Sequence, residues 1–286
     1  LMLSVAAFAA AGYSLAAAPQ GARLAAIDWA MLETAIALGQ MPEAACELVS
    51  YRAQAIAPEI SREVVDLGLR GAPNYELLQL TRPDLILSSP FYIQHEARLA
   101  RIAPVLSVPF YVPGEPPLAK AMAALDILGD RIGRTDAARL ARAEAEARFD
   151  ALAARLEPYR DRPVCLVDIG DARHLRAFGF DSMFGDVLTR LGLTNAWAGR
   201  TRFSFLAPIP LERLAEMPEA RLVLVGDVAV EARHALRRSV LWESLPQVAE
   251  GRLYRLPGVN PFGGVPAGRR FSELLTLALE RGPLSA

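Results

Sequence analysis

The sequence predicts an α/β fold of two Rossmann-like lobes joined by one long α-helix. Three observations carry that expectation. Strand-like apolar runs alternate with segments of helical period, the pattern of a mainly parallel sheet. The alternation stops at a long alanine-rich, charged segment and then begins again. Two stretches, one on either side of that segment, run through the same order of glutamate, apolar helical turns, proline, acid and buried strand.

The chain has 286 residues, enough for two lobes that each bury a core. Residues 1–20, "LMLSVAAFAAAGYSLAAAPQ", form an apolar run that closes on small residues with an A-x-A pattern at Ala16 to Ala18. This reads as the remnant of a secretory signal peptide, so a soluble protein exported to the periplasm is expected. The alternatives, a short buried helix or a membrane anchor, fit less well, because the run is short for a bilayer span and Pro19 follows at once. No cysteine stands at the cleavage point, which argues against a lipid anchor.

The first lobe is expected over residues 21–133. "RLAAIDW", Arg23 to Trp29, reads as a strand, and "AMLETAIALG" after it has helical spacing ended by Gly39. "PDLILSS" is a second strand, "FYIQHEARLARIAP" a loop and helix, and "VLSVPFY" another strand. Residues 134–160 are the connecting helix, opened by the capping candidate Thr135 and closed by Pro158. From Thr135 to Glu157 it spans roughly 35 Å at about 1.5 Å per residue. The second lobe, residues 161–286, restarts the plan with "PVCLVDIG", "SMFGDVLTRLGL", "RLVLVGD" and "GRLYRLPGV".

Composition excludes some functions. With 31 basic against 32 acidic residues there is no cationic surface for nucleic acid to find. Cys46 and Cys165 fall in different lobes, so neither a disulfide nor a metal site is expected, and Cys165 reads as a small apolar strand residue. His95, His174 and His234 are scattered without metal-ligand spacing. The serine of "GFDSMFG" lacks nucleophile-elbow spacing, and no phosphate-cradling glycine motif appears. The chain is not expected to be an enzyme.

The internal match pairs "YELLQLTRPDLILSS", Tyr75 to Ser89, with "LERLAEMPEARLVLVGD", Leu211 to Asp227. Each predicts a short helix entering a strand in the centre of its lobe. Ligands of open α/β sheets sit beyond the carboxyl ends of the strands, where Tyr92 follows "DLILSS" and Arg70 precedes the helix leading into it. A guanidinium fork suits oxygens held at fixed spacing, and a tyrosine adds one donor on an apolar body. The plainer reading pairs Arg70 with Asp66 on the surface, and sequence physics leaves the two near even.

"VVDLGLRGAPNYELL", "LARIAP", "DSMFGDVL...LGLTNAW" and "GRLYRLPGV", in this order around one long helix, resemble the periplasmic ferric-hydroxamate siderophore-binding proteins of ABC iron uptake, of the ferrichrome type. The resemblance covers the chain from about Arg23 onward and implies two α/β lobes with the ferric complex in a cleft between them. It implies that Arg70 and Tyr92 donate to the iron-bound hydroxamate oxygens. Iron is then held by the siderophore, with no protein metal site and no cofactor. It matches Trp197 to a cleft position and keeps an aromatic ring at Phe262, with Trp29 and Phe203 as further candidates. Other aromatic positions of the family carry Gln54, Ser88, Ser204 and Asn260 here, which changes the apolar wall and with it the expected siderophore. Core packing is an equal reading for Trp197, Phe203 and Phe262. Glu76 and Glu212 match lobe-surface carboxylates that dock on arginines of an inner-membrane ABC permease, although a glutamate in a first helical turn is favourable without any partner. A monomer is expected. The alternatives are a haem- or cobalamin-binding protein of the same fold, with Tyr92 as an axial candidate for haem, and a hydrolase using Ser182 or Asp168.

Overall fold

The structure, a computed structural model, describes residues 21–171, 173–198 and 208–284. Residues 1–20, read as the signal remnant, and the candidates Phe203 and Ser204 lie outside the described residues.

Along the first lobe run β1 (Leu24–Ala26), β2 (Ala44–Ala45), β3 (Val65–Asp66), a hairpin of β4 (Gly68–Leu69) and β5 (Ala72–Pro73), then β6 (Leu85–Ser88) and β7 (Val105–Ser107). The hairpin stands apart, and the other five make a sheet ordered β3-β2-β1-β6-β7 with every pairing parallel. Both β1 and β6 are buried along their whole length, as expected of parallel strands covered on both faces. The helices are α1 (Trp29–Ala37), α2 (Leu48–Gln54), α3 (Tyr75–Thr81), α4 (Ile93–Leu99) and α5 (Leu118–Arg131).

The strand expected over Arg23 to Trp29 is shorter. The chain turns at Asp28, whose Oδ1 accepts from the backbone N–H groups of Ala30 and Met31, so Trp29 is the first residue of α1. The connecting helix α6 runs Thr135–Arg155, about 31 Å at ~1.5 Å per residue. Thr135 is not its cap: the hydroxyl donates to Asp130 Oδ1, and the capping position falls on Arg134.

The second lobe holds β8 (Val164–Ile169), β9 (His174–Ala177), β10 (Pro208–Pro210), β11 (Arg221–Val225) and β12 (Leu253–Leu256), ordered β10-β9-β8-β11-β12. Its helices are α7 (Met183–Arg190), α8 (Val230–Leu236), α9 (Val240–Ser244), α10 (Pro246–Ala249) and α11 (Val265–Arg281). Here the parallel expectation holds for β8, β11 and β12 only. β9 runs antiparallel to both neighbours, and toward β8 this follows from their short connection, which permits a hairpin and not a crossover. Asp171 fixes that turn by accepting from the N–H groups of Arg173 and His174.

The internal match is realised in the topology. β6 lies between β1 and β7, and β11 lies between β8 and β12, all parallel. Each is therefore one place off centre. The preceding element is the α-helix α3 in one lobe and a 3-10 turn, Leu211–Glu216, in the other.

One hydrophobic core runs through both lobes, from Leu24 and Leu87 under the first sheet, past Met31, Leu125 and Phe149, to Phe184, Phe271 and Val223 of the second. Helix α11 lies against α1, α6 and α7, and Phe184 stacks on Phe271 with centroids 4.6 Å apart. Arg148 to Glu273 and Arg155 to Glu280 tie α6 to α11 along the surface.

Candidate functional site

The carboxyl ends of the parallel strands bring Asp28 after β1, Glu47 after β2 and Tyr92 after β6 to one end of the first lobe. Arg70 arrives there on the two-residue turn Arg70-Gly71 of the β4–β5 hairpin. The backbone of Glu47 sits at a φ of 56°, unusual for a residue with a side chain, and its N–H donates to Gly68 O. That contact binds the start of α2 to the hairpin.

Arg70 is fixed on two sides. Its guanidinium carbon lies 3.8 Å from the centroid of the Trp29 ring, and its Nε donates to Glu47 Oε2 at 2.5 Å. Asp66, the partner expected on the plainer reading, is engaged elsewhere: its carboxylate accepts from the N–H groups of Leu48, Val49 and Gly68. The terminal amino groups of Arg70 have no hydrogen-bond partner among the described residues. Trp29 is buried, donates its indole N–H to Cys46 O, and meets Tyr51 edge to face. It is the platform beneath the arginine and not a wall of the cleft.

Tyr92 is 6% exposed, and no group among the described residues hydrogen-bonds to its hydroxyl. Burial pushes its phenol well above the ordinary range, against the pull of the Arg70 charge, so it stays protonated and able to donate. Beside it Phe91 is 80% exposed and meets the Tyr92 ring edge to face. Asp28 shares this neighbourhood. Its Oδ2 accepts from Ser89 Oγ, and burial raises its carboxyl while the donors and Arg70 oppose the rise.

The other candidates separate. Ser88 is buried inside β6, and Gln54 is exposed at the end of α2. Asn260 is buried: its Nδ2 donates to Glu33 Oε1 and its Oδ1 accepts from Phe262 N. Both of its polar ends are taken inside the protein, so it is not a free cleft residue. Phe262 is half-buried in the loop after β12 and meets Tyr111 edge to face at 5.7 Å. Trp197 packs in the core of the second lobe, with Arg213 5.6 Å over its ring. Its buried indole N–H has no acceptor among the described residues.

Glu76 and Glu212 are both exposed, Glu76 the second residue of α3 and Glu212 the second residue of the 3-10 turn after β10, and no ion pair engages either among the described residues. A cavity of about 340 Å³ opens beside Glu212, lined by Arg173, His174, Pro210, Leu211, Ser239 and Leu241. A larger one of about 380 Å³ lies between α1, α6 and α11, bounded by Ile36, Ala141, Val265 and Arg269; none of the predicted ligand residues lines it. The hydrolase candidates have structural work. Ser182 is buried, caps α7 by accepting from Gly185 N, and donates to Gly179 O, while Asp168 pairs with Arg176.

Sequence reasoning missed Glu47, Asp28 and Glu33. Nothing in the spacing pairs Glu47 with Arg70 across 23 positions. Asp28 carried a signal, an acid directly before a helical apolar run, which is a capping pattern.

With this geometry in hand, comparison with known proteins gives a consistent result. Residues 24–259 match the family model described as periplasmic binding protein. The chain belongs to that family. It is 31% identical over 264 residues to the iron(3+)-hydroxamate-binding protein FhuD of Escherichia coli strain K12, covering 92% of this chain and 89% of that one. Among solved structures it is similar to FhuD of Vibrio cholerae bound to Fe3+-Desferal, at 26% identity and a TM-score of 0.85 over 91% of this chain and 98% of the other. The periplasmic catecholate-siderophore-binding protein VctP of Vibrio cholerae shares the fold at 18% identity and a TM-score of 0.67, covering 91% of this chain and 93% of that one. These relatives are binding proteins of the helical-backbone class, and the two-lobed architecture joined by α6 is theirs.

Proposed function

We propose that this chain is a periplasmic solute-binding protein that captures a ferric siderophore of the hydroxamate class and delivers it to an inner-membrane ABC permease. The observation that carries this is the Arg70 fork, stacked on Trp29 and held by Glu47, with its terminal amino groups free of partners among the described residues and beside a protonated Tyr92. Three hydroxamates on iron present a rigid cluster of partly anionic oxygens, and charged N–H donors with a phenol O–H are their complement. The iron arrives inside the ligand, so the protein needs neither metal ligands nor a cofactor. A phenol kept protonated favours the donor role over that of an axial haem ligand.

The likeness to the FhuD proteins supports the same ligand class. Glu76 and Glu212, one on each lobe and without an ion pair among the described residues, supply two anchors for cationic side chains of the permease. The division into residues 21–133, 134–160 and 161–286, the signal function of residues 1–20 and a monomeric state belong to this reading. Among the described residues no helix is long and apolar enough to cross a membrane.

The test is a tryptophan-fluorescence titration with ferrichrome, ferrioxamine and coprogen, alongside a ferric catecholate, haem and cobalamin. Trp29 under Arg70 is the reporter. Saturable quenching by hydroxamates near micromolar concentration is the expected result. Binding of haem or cobalamin alone would overturn the reading.

A further inference from the structure

Glu33 is a fully buried carboxyl that the capture of ligand does not use. It lies one turn into α1, and all four of its hydrogen-bond partners donate. Oε1 accepts from Tyr51 OH at 3.1 Å and from Asn260 Nδ2 at 2.7 Å. Oε2 accepts from the backbone N–H groups of Gly264 at 2.9 Å and Ala267 at 3.2 Å. Three of the four donors belong to the second lobe. The last two are the capping residue and the third residue of α11, whose own cap, a glycine, has no side chain to offer. The carboxylate of one lobe thus caps the long C-terminal helix of the other, where the helix dipole also favours it.

The loop between β12 and α11 is tied down around this point. Asn260 accepts from Phe262 N, and Tyr111 of the first lobe donates to Gly263 O at 2.6 Å. A Cβ on Gly263 would stand 2.4 Å from Glu33 Oε2, so the loop passes the carboxylate with no room for a side chain. Phe262 is carried on this loop, and its ring is braced by Tyr111. Burying a charge is costly, and satisfying it with four donors from both lobes specifies one arrangement of the loop.

We propose that Glu33 is a positioning residue for the ligand cleft: it fixes loop 257–264, and with it the Phe262 wall, at a set distance from Arg70 and Tyr92. This rests on the ferric-hydroxamate reading of the cleft. A carboxyl group suits these partners better than an amide, because glutamine at 33 turns an NH2 either toward Asn260 Nδ2 or toward the backbone N–H groups of Gly264 and Ala267, which can only donate.

The test compares the native chain with Glu33→Gln, Phe262→Ala, the double variant, Glu33→Asp and Arg70→Ala. Affinity for ferric desferrioxamine is read by tryptophan fluorescence and the melting temperature by calorimetry. Glu33→Gln is expected to weaken binding by about tenfold or more, as for loss of a charged hydrogen bond, with partial recovery in Glu33→Asp. In the Phe262→Ala background the same change is expected to move the dissociation constant less than about twofold, because the effect acts through Phe262. A folded Glu33→Gln protein with native affinity and only a lower melting temperature would overturn the proposal, as would an equal effect with and without Phe262. If Glu33→Gln does not fold, Tyr111→Phe, which removes the hydroxyl that donates to Gly263 O and keeps the ring, takes its place in the same cycle. Weakening by Arg70→Ala without any by Glu33→Gln sinks this inference and spares the functional reading. Failure of the native chain to bind any hydroxamate sinks both.

Discussion

Arg70 is an ordinary surface arginine turned into a fixed donor by what lies under and beside it. The Trp29 face takes its plane, Glu47 takes its Nε, and the terminal amino groups have no partner among the described residues. Charged hydrogen bonds contribute about 1.5–3 kcal/mol, so Arg70→Ala is expected to weaken siderophore binding by roughly ten- to 150-fold in a fluorescence titration. Arg70→Lys is expected to recover little, since an ammonium has neither the planar face for Trp29 nor the fork. Glu33 gives a prediction of a different kind. Burial pushes its carboxyl up to about 7 from 4.5, against the pull of its four donors. Between those values the folded protein holds a proton that the unfolded chain has released, so this group's contribution makes stability fall as pH rises through that window and level off above it. The full change amounts to about 3 kcal/mol. Denaturant unfolding from pH 5 to 8 reads it, and Glu33→Gln should flatten that slope. Arg70 and Tyr92 were singled out through the family resemblance that their neighbours carry, and the structure places both at one end of the first lobe. The supports Glu47 and Glu33 were not, because their partners are made by long-range folding, and Asn260 was read as cleft-facing when its side chain turns inward to Glu33.

At the scale of elements, α1 depends on its first residues. Asp28 caps it through Oδ1 and holds Ser89 through Oδ2, so Asp28→Ala is expected to cost about 1–2 kcal/mol, seen as a lower denaturation midpoint. Helix α6 carries Phe149, fully buried in the common core, and Phe149→Ala should cost about 3–5 kcal/mol. That loss is large enough to separate a connecting helix that is part of the core from one that merely bridges. The strands β1, β6, β8 and β11 were readable because full burial makes continuous apolar runs. Strands of two residues such as β2 and β3 have no period to read, and β9 is visible only through the Asp171 turn that sends it back antiparallel. Helix α11 has clear helical periodicity, yet its role at the junction comes from contacts with α1 and α6 that no local pattern encodes.

Across the whole molecule the lobes share one core, and the close approaches between them are made by backbone. Gly258 lies against the Gln54 carbonyl, where an added Cβ would stand 2.4 Å from the oxygen. The two exposed carboxylates, Glu76 and Glu212, sit at the start of corresponding helical segments of the two lobes and have no ion pair among the described residues. Reversing either charge to arginine is expected to abolish siderophore uptake in cells while leaving the affinity of the purified protein unchanged. Loss of affinity together with uptake would assign those residues to folding. The junction also bears on how the protein is made. Three of the four donors that satisfy Glu33 stand 227 to 234 positions further along the chain. During synthesis the α1 face around residue 33 therefore emerges long before the segment that covers it, and a nascent first lobe displays an open apolar surface around a hydrated carboxylate until the last helix leaves the ribosome.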